Sequence, residues 1–388
     1  MSEHEGTPVA AGIVAAIVGS SSSFVVVLAG FTAVGATPAQ AASGLLTVFV
    51  SQALGMLWLA LRYRTPITLA WSTPGAALLL STGAVTGGWA AAVGAFVVSG
   101  VLILLTGLVP ALGDLIARIP PSLARAMLAG VLLPICLEPV IGLADSPKYV
   151  GPVVLAWLVM HLISRRWAVP VALAVALLVV VVSAGSSVSA GDLVPSLTWT
   201  TPHWTAQAVV SLAIPLYIVT MASQNVPGLA IMKSFGYDVP WRETMTVTGV
   251  GTLAGAPFGG HAINLAAITA AMNAGPMAGP DRDRRWIATV SSAATYLVLA
   301  LACGALTALV AAAPGDVMQA AAGLALLGTL AASLAGALAD EHGREAAVIC
   351  FVIAASGVTI LGVGAAFWAL VAGLLLRPLI AIGTIRRR

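Results

Sequence analysis

Long apolar blocks alternate along this chain with short clusters of polar or helix-breaking residues, almost from end to end. A membrane span needs roughly 20 apolar residues, and on that measure the pattern predicts about fourteen segments. The first half gives 10–34, 41–61, 66–84, 88–109, 121–142, 148–164 and 168–186. The second gives 205–231, 242–256, 257–275, 286–312, 316–334, 345–358 and 361–379. Breaker clusters such as Gly35-Ala36-Thr37-Pro38 and Ile119-Pro120-Pro121-Ser122 mark the ends. The prediction is an all-α polytopic membrane protein in two parts, residues 1–195 and 196–388.

Two blocks are interrupted from within. One reads Thr65-Pro66-Ile67-Thr68-Leu69-Ala70-Trp71-Ser72-Thr73-Pro74-Gly75. Its β-branched residues suit a short extended stretch, after which Thr73 suits an N-cap and Pro74 the first helical position. The other, Gly255-Ala256-Pro257-Phe258-Gly259-Gly260-His261-Ala262-Ile263-Asn264, carries a proline and three glycines before the apolar run Leu265 to Met272. Non-helical backbone survives at bilayer depth only where protein or a watery cavity solvates it. Each interruption falls in the third segment of its half. An odd number of spans, about seven per half, makes the halves inverted repeats and points the two half-helix N-termini at each other. Helix N-termini carry partial positive charge and unpaired amides, so the pair suits an anion such as a carboxylate.

Composition and charge sharpen this. Hydrophobic residues make up 60% of the 388 and charged residues 8%, against about 25% charged in soluble domains. Mean hydropathy is +1.03. The net charge of +3 is no argument for nucleic acid, because the basic residues are sorted by loop. With the N-terminus cytoplasmic, 16 of the 17 Lys and Arg fall inside, from Arg62 and Arg64 through Arg282, Arg284 and Arg285 to Arg386, Arg387 and Arg388; Lys148 alone falls outside. The Gly185–His203 loop, expected outside, has none. Both termini are therefore expected in the cytoplasm. Met1–Pro8 lacks the basic start of a signal peptide, so the first block is expected to be a retained span. Cys136, Cys303 and Cys350 read as small core residues.

Among five histidines, His4 and His342 fall in cytoplasmic segments, His203 outside and His161 at a span end, leaving His261 at mid-depth. An ordinary imidazole pKa near ~6.5 suits proton exchange; the plainer role is one structural hydrogen bond. Gln224 and Asn225, beside Pro227-Gly228, either line a site or tie helices together. Asn264 is a candidate N-cap for the tenth half-helix or a substrate contact. Ser21, Ser22 and Ser23 interrupt the first span, as site groups or as close-packing residues, and Phe24 faces lipid or a ring. Trp71 packs the core or offers an aromatic substrate a flat partner; Ser72 and Thr73 offer hydroxyls and amides. Glu138, near the outer end of the fifth span, is a proton-entry candidate. No nucleotide loop, metal cluster or Ser-His-Asp order is present, so no cofactor is expected.

The strings Pro66–Gly75, Ser223-Gln224-Asn225-Val226-Pro227-Gly228 and Gly255–Asn264 resemble those of the bacterial benzoate/proton symporter (BenE-type) family, over essentially the whole chain. That family is similar in fold to uracil permeases and to nucleobase and sulfate/bicarbonate carriers. The resemblance implies a seven-plus-seven inverted repeat, with a core domain (spans 1–4 and 8–11) beside a gate domain (spans 5–7 and 12–14). It also implies short antiparallel strands before the third and tenth helices, elevator-like movement, a homodimer and a place in the bacterial cytoplasmic membrane. Uracil permeases carry a Gly-Glu pair at the tenth half-helix and another Glu in the eighth span. Here Gly260-His261 and Gln224-Asn225 stand there, a set that does not repel an anion. The expected activity is import of benzoate or a similar aromatic carboxylate with protons. The carboxylate would be held by Ser72, Thr73 and Gly260 to Ala262, with His261, or the substrate itself, carrying the proton. The rivals are an uncoupled anion channel or exchanger, a nucleobase permease and, from another class, a membrane enzyme or structural subunit.

Overall fold

The computed structural model describes residues 7–184, 194–341 and 343–385. His4, His342, Arg386 to Arg388 and residues 185–193 of the loop from Gly185 to His203, all used in reading the topology, lie outside the described residues.

Helix starts follow local chemistry. Thr7 caps α1 (Pro8–Ser21), accepting from the Ala10 amide at 3.3 Å. Thr37 and Gln40 form a reciprocal capping box ahead of α3 (Pro38–Tyr63). The serine run divides the first span, ending α1 before α2 (Phe24–Ala33) begins. After α3 comes strand β1 (Leu69–Trp71), then α4 (Thr73–Thr82), α5 (Gly88–Leu108), α6 (Pro110–Ala117), α7 (Pro121–Asp145), α8 (Pro147–Ile163) and α9 (Arg165–Ala184). Helix α10 spans Ala206–Ser234 with two π turns, Val209–Ala213 and Met221–Asn225. Then follow α11 (Trp241–Gly255), strand β2 (Ile263–Leu265), α12 (Ile268–Ala274), α13 (Trp286–Ala300), α14 (Cys303–Ala311), α15 (Val317–Leu338), α16 (Arg344–Ala355) and α17 (Ala365–Ile385).

Among the described residues, seven helices are long and apolar enough to cross a membrane, or eight if the pair α13–α14, bent by 56°, is one span. Large apolar side chains stay exposed on outer faces, Leu162 at 80% and Val182 at 76%, as a lipid-facing surface requires. Helix α7 packs on α15 and α16, α8 on α9, and α16 on α17; α1 packs on α13, α5 on α11, and α3 on α13. The three cysteines are free and buried.

Strands β1 and β2 pair antiparallel, Leu69 with Leu265, Ala70 with Asn264 and Trp71 with Ile263. Three local expectations need correcting. Ser72, not Thr73, caps α4, its hydroxyl accepting from the Gly75 amide at 3.1 Å. Asn264 is not an N-cap, because its backbone is committed to the strand opposite Ala70; α12 starts at Ile268 with no side-chain cap. Gly260 and His261 lie in the irregular run between Gly259 and β2, on neither a helix nor a strand. Helix α6 fills a stretch the hydropathy pattern left as a connection.

Candidate functional site

The two interrupted segments meet at Ser72. Its amide donates to the Ala262 carbonyl at 2.9 Å, and its hydroxyl receives a hydrogen bond from Thr220 at 2.8 Å while capping α4. Its carbonyl faces His261 Nε2 at 3.1 Å. A carbonyl can only accept, so Nε2 carries the hydrogen. Among the described residues that leaves Nδ1 buried with no partner. The imidazole is 1% exposed and meets Phe31 and Phe96 edge-on, ring centres 5.4 and 6.5 Å away.

On the β2 side the backbone is held by side chains from α10 and α11. Thr252 accepts from the Ile263 amide at 3.1 Å, and Asn225 Oδ1 accepts from the Leu265 amide at 2.8 Å. Asn264 turns its Oδ1 to the Ser72 amide (3.1 Å) and its Nδ2 to the Leu265 carbonyl (2.8 Å). The Gly260 amide is committed to the Gly255 carbonyl at 3.0 Å. Gly259 makes the preceding turn at φ +91°, and a Cβ there would stand 2.9 Å from the Trp89 ring. Beyond β2, Ala266 donates to the Thr68 carbonyl at 2.9 Å, and the uncapped α12 begins two residues later.

Trp71 lies against a different wall from His261. Its ring meets Phe49 edge-on at 4.8 Å and Tyr296 at 6.5 Å, and its indole N–H donates to Ser23 Oγ at 2.9 Å. That bond ties the break between α1 and α2 to the end of β1. The Ser21 and Ser22 hydroxyls turn back on the carbonyls of Val18 and Gly19, at 3.2 and 2.9 Å. Phe24 is buried in the apolar core, 2% exposed. Thr73 and Gln224 stay partly exposed.

The structure thus joins Ser23, Trp71, Ser72, Asn225, His261, Ala262 and Asn264 into one bonded cluster. It does not bring in Glu138, which sits partly exposed on α7, within electrostatic reach of Asp316 at the head of α15. Thr220, Thr252 and Ser223 were missed from sequence. Thr220 stands one turn before Gln224, a spacing that would have found it. Ser223 lies in the second π turn with a buried hydroxyl that has no partner among the described residues. Among the described residues no group of three or more His, Cys, Asp or Glu is placed to hold a metal.

Comparison with known proteins places the chain in a family. The family model for BenE, described as benzoate membrane transport protein, matches residues 2–379. The chain is 40% identical over 366 residues to the inner membrane protein YdcO of Escherichia coli (strain K12), covering 94% of this chain and 93% of that one. It is 30% identical over 336 residues to the benzoate membrane transport protein of Acinetobacter baylyi, covering 84% and 83%. Among solved structures it resembles the transmembrane domain of a cyanobacterial bicarbonate transporter, BicA, with a TM-score of 0.59 at 14% identity and 97% of each chain covered. It also resembles the murine Solute Carrier 26 family member A9 anion transporter in its inward-facing state, again at TM-score 0.59 and 14% identity, covering 96% of this chain and 68% of that one. At that identity the likeness speaks for the fold alone.

Proposed function

The chain belongs to the benzoate membrane transport protein (BenE) family, and from that premise we propose that it imports benzoate or a similar aromatic carboxylate together with protons. Membership makes it a multi-pass membrane transporter and not an enzyme. The observation that carries the narrower reading is the β1–β2 pair, each strand running into a short helix inside an apolar bundle. Strands that end at helix N-termini give a buried seat for a negative group, as in carriers built on broken helices.

Ser72 and Gly260 already have partners, so the carboxylate is held chiefly by groups that remain open: Thr73, the uncapped start of α12, Ser223 and Gln224. The ring lies against Trp71 and apolar parts of the first and eighth spans. His261 takes the coupling proton on Nδ1, the nitrogen without a partner; protonation of the carboxylate itself is the second route. Either way the loaded site is neutral and can move, whereas a charge alone in hydrocarbon costs several kcal/mol.

The movement we propose is elevator-like, a core of spans 1–4 and 8–11 sliding past a gate of spans 5–7 and 12–14, in an inverted repeat of about fourteen spans. Packing supports the repeat. Exchange the halves, and α5 on α11 becomes α13 on α3; α8 on α9 becomes α16 on α17; α1 on α13 becomes α10 on α5. The pairs α7–α15 and β1–β2 map onto themselves. A place in the bacterial cytoplasmic membrane, with both termini on the cytoplasmic side, and a homodimer complete the reading.

Proteoliposomes test it. Labelled benzoate should accumulate under an inward-acid pH gradient, and an ionophore that collapses the gradient should abolish accumulation. Accumulation that ignores the gradient would leave an uncoupled channel or exchanger. A binding screen over benzoate, hydroxybenzoates, uracil and sulfate separates the aromatic acid reading from a nucleobase permease.

A further inference from the structure

Helices α3 and α11 run side by side in opposite directions, Gly255 against Thr47, Gly251 against Ser51 and Gly55 against Val247. Between them lies an open groove of about 580 Å³. It exists because small residues thin both helices along the contact. A Cβ on Gly55 would stand 2.7 Å from Leu69 Cδ1, and one on Gly251 2.7 Å from Ile263 Cδ1. Side chains of β1 and β2 thus reach up to the groove. Leu54, Trp58 and Val250 on its walls are 56%, 62% and 51% exposed.

The groove has one charged end. Arg62 follows Trp58 by one turn on α3, and Arg242 precedes Thr246 by one turn on α11; both are exposed. Because the helices are antiparallel, both arginines lie at the same end. Among the described residues neither is in an ion pair. Glu243 stands beside Arg242 at the same end. Trp58 and Trp241 flank the arginines, and such amphipathic rings settle at headgroup depth.

We propose that this groove binds one phospholipid of the surrounding bilayer, an acyl chain between α3 and α11 and its phosphate on Arg62 and Arg242. An exposed apolar channel in a membrane helix pair needs apolar matter to fill it, and a mouth carrying two unpaired guanidiniums complements a phosphate. The Glu243 carboxylate suits the ammonium of an ethanolamine headgroup. The inference does not depend on which solute the protein carries.

Native mass spectrometry of the full chain in detergent, titrated with phosphatidylethanolamine, tests the site. One tightly held lipid is expected. Arg62→Gln with Arg242→Gln should weaken it by about thirtyfold, from two lost cationic contacts. Ala254→Phe, at an exposed groove position, should remove the acyl seat; an unchanged thermal midpoint in detergent confirms that each variant is folded. Undiminished binding in the folded variants overturns the proposal. So does equal retention of a phosphate-free diacylglycerol, or efficient cross-linking of Leu54→Cys to its counterpart in membranes, which would make the groove a contact with a second copy.

Discussion

Ser72 joins the two interrupted segments, and every polar atom it offers has a partner: the Ala262 carbonyl, the Gly75 amide, the Thr220 hydroxyl and His261 Nε2. Around it the buried polar groups divide by what they leave open. Asn225 is closed, its oxygen serving the Leu265 amide. Asn225→Leu should therefore destabilise the protein by about 1–3 kcal/mol, the cost of a buried amide left unpaired, measured by thermal unfolding in detergent. His261 is half open, with one nitrogen on Ser72 and the other bare. His261→Gln keeps a donor for the Ser72 carbonyl yet accepts no proton at neutral pH. It should fold, bind benzoate and lose the rise of uptake as external pH falls. Uptake that still rises with acidity would place the proton on the substrate.

At the level of elements, the turn before β2 sets where the strand begins. Gly259 sits at φ +91° with the Trp89 ring directly behind it. An alanine there meets both the left-handed backbone and the ring, so Gly259→Ala should cost more than about 1 kcal/mol and lower transport along with stability. The second π turn of α10 bears on β2 itself, since Asn225 within it accepts from the Leu265 amide. It contains Gln224 and Asn225 within the register shift, and their neighbour Ser223 is left with an unpartnered hydroxyl. Hydropathy found α10 as an apolar block, but a π turn leaves no mark on a hydropathy pattern. Helix α6 escaped for a different reason: Pro110 reads as a breaker, although proline is favoured on a helix's first turn.

Across the whole molecule, orientation and coupling are the properties to measure. Thr201 and Glu341 are both exposed and lie in loops assigned to opposite sides. The native cysteines are buried. In intact cells a membrane-impermeant thiol reagent should label Thr201→Cys and spare Glu341→Cys; the reverse pattern would invert the assigned topology. Acid-driven accumulation in proteoliposomes tests the coupling at the same scale, since it needs both the proton step and the movement of one group of helices past the other.

The membrane class, the apolar blocks and the two interruptions were legible in the chain itself, because hydropathy and helix-breaking residues act locally. Pro66 to Gly75 already announced an extended piece followed by a helix, and Gly255 to Gly260 a break. Partners were not legible. Nothing in the order of residues pairs Ala70 with Asn264, sends the Trp71 indole to Ser23, or separates the His261 wall of Phe31 and Phe96 from the Trp71 wall of Phe49 and Tyr296. Those contacts join residues far apart in the chain, and only the folded bundle decides which hydroxyls and amides are already satisfied and which remain open to a ligand.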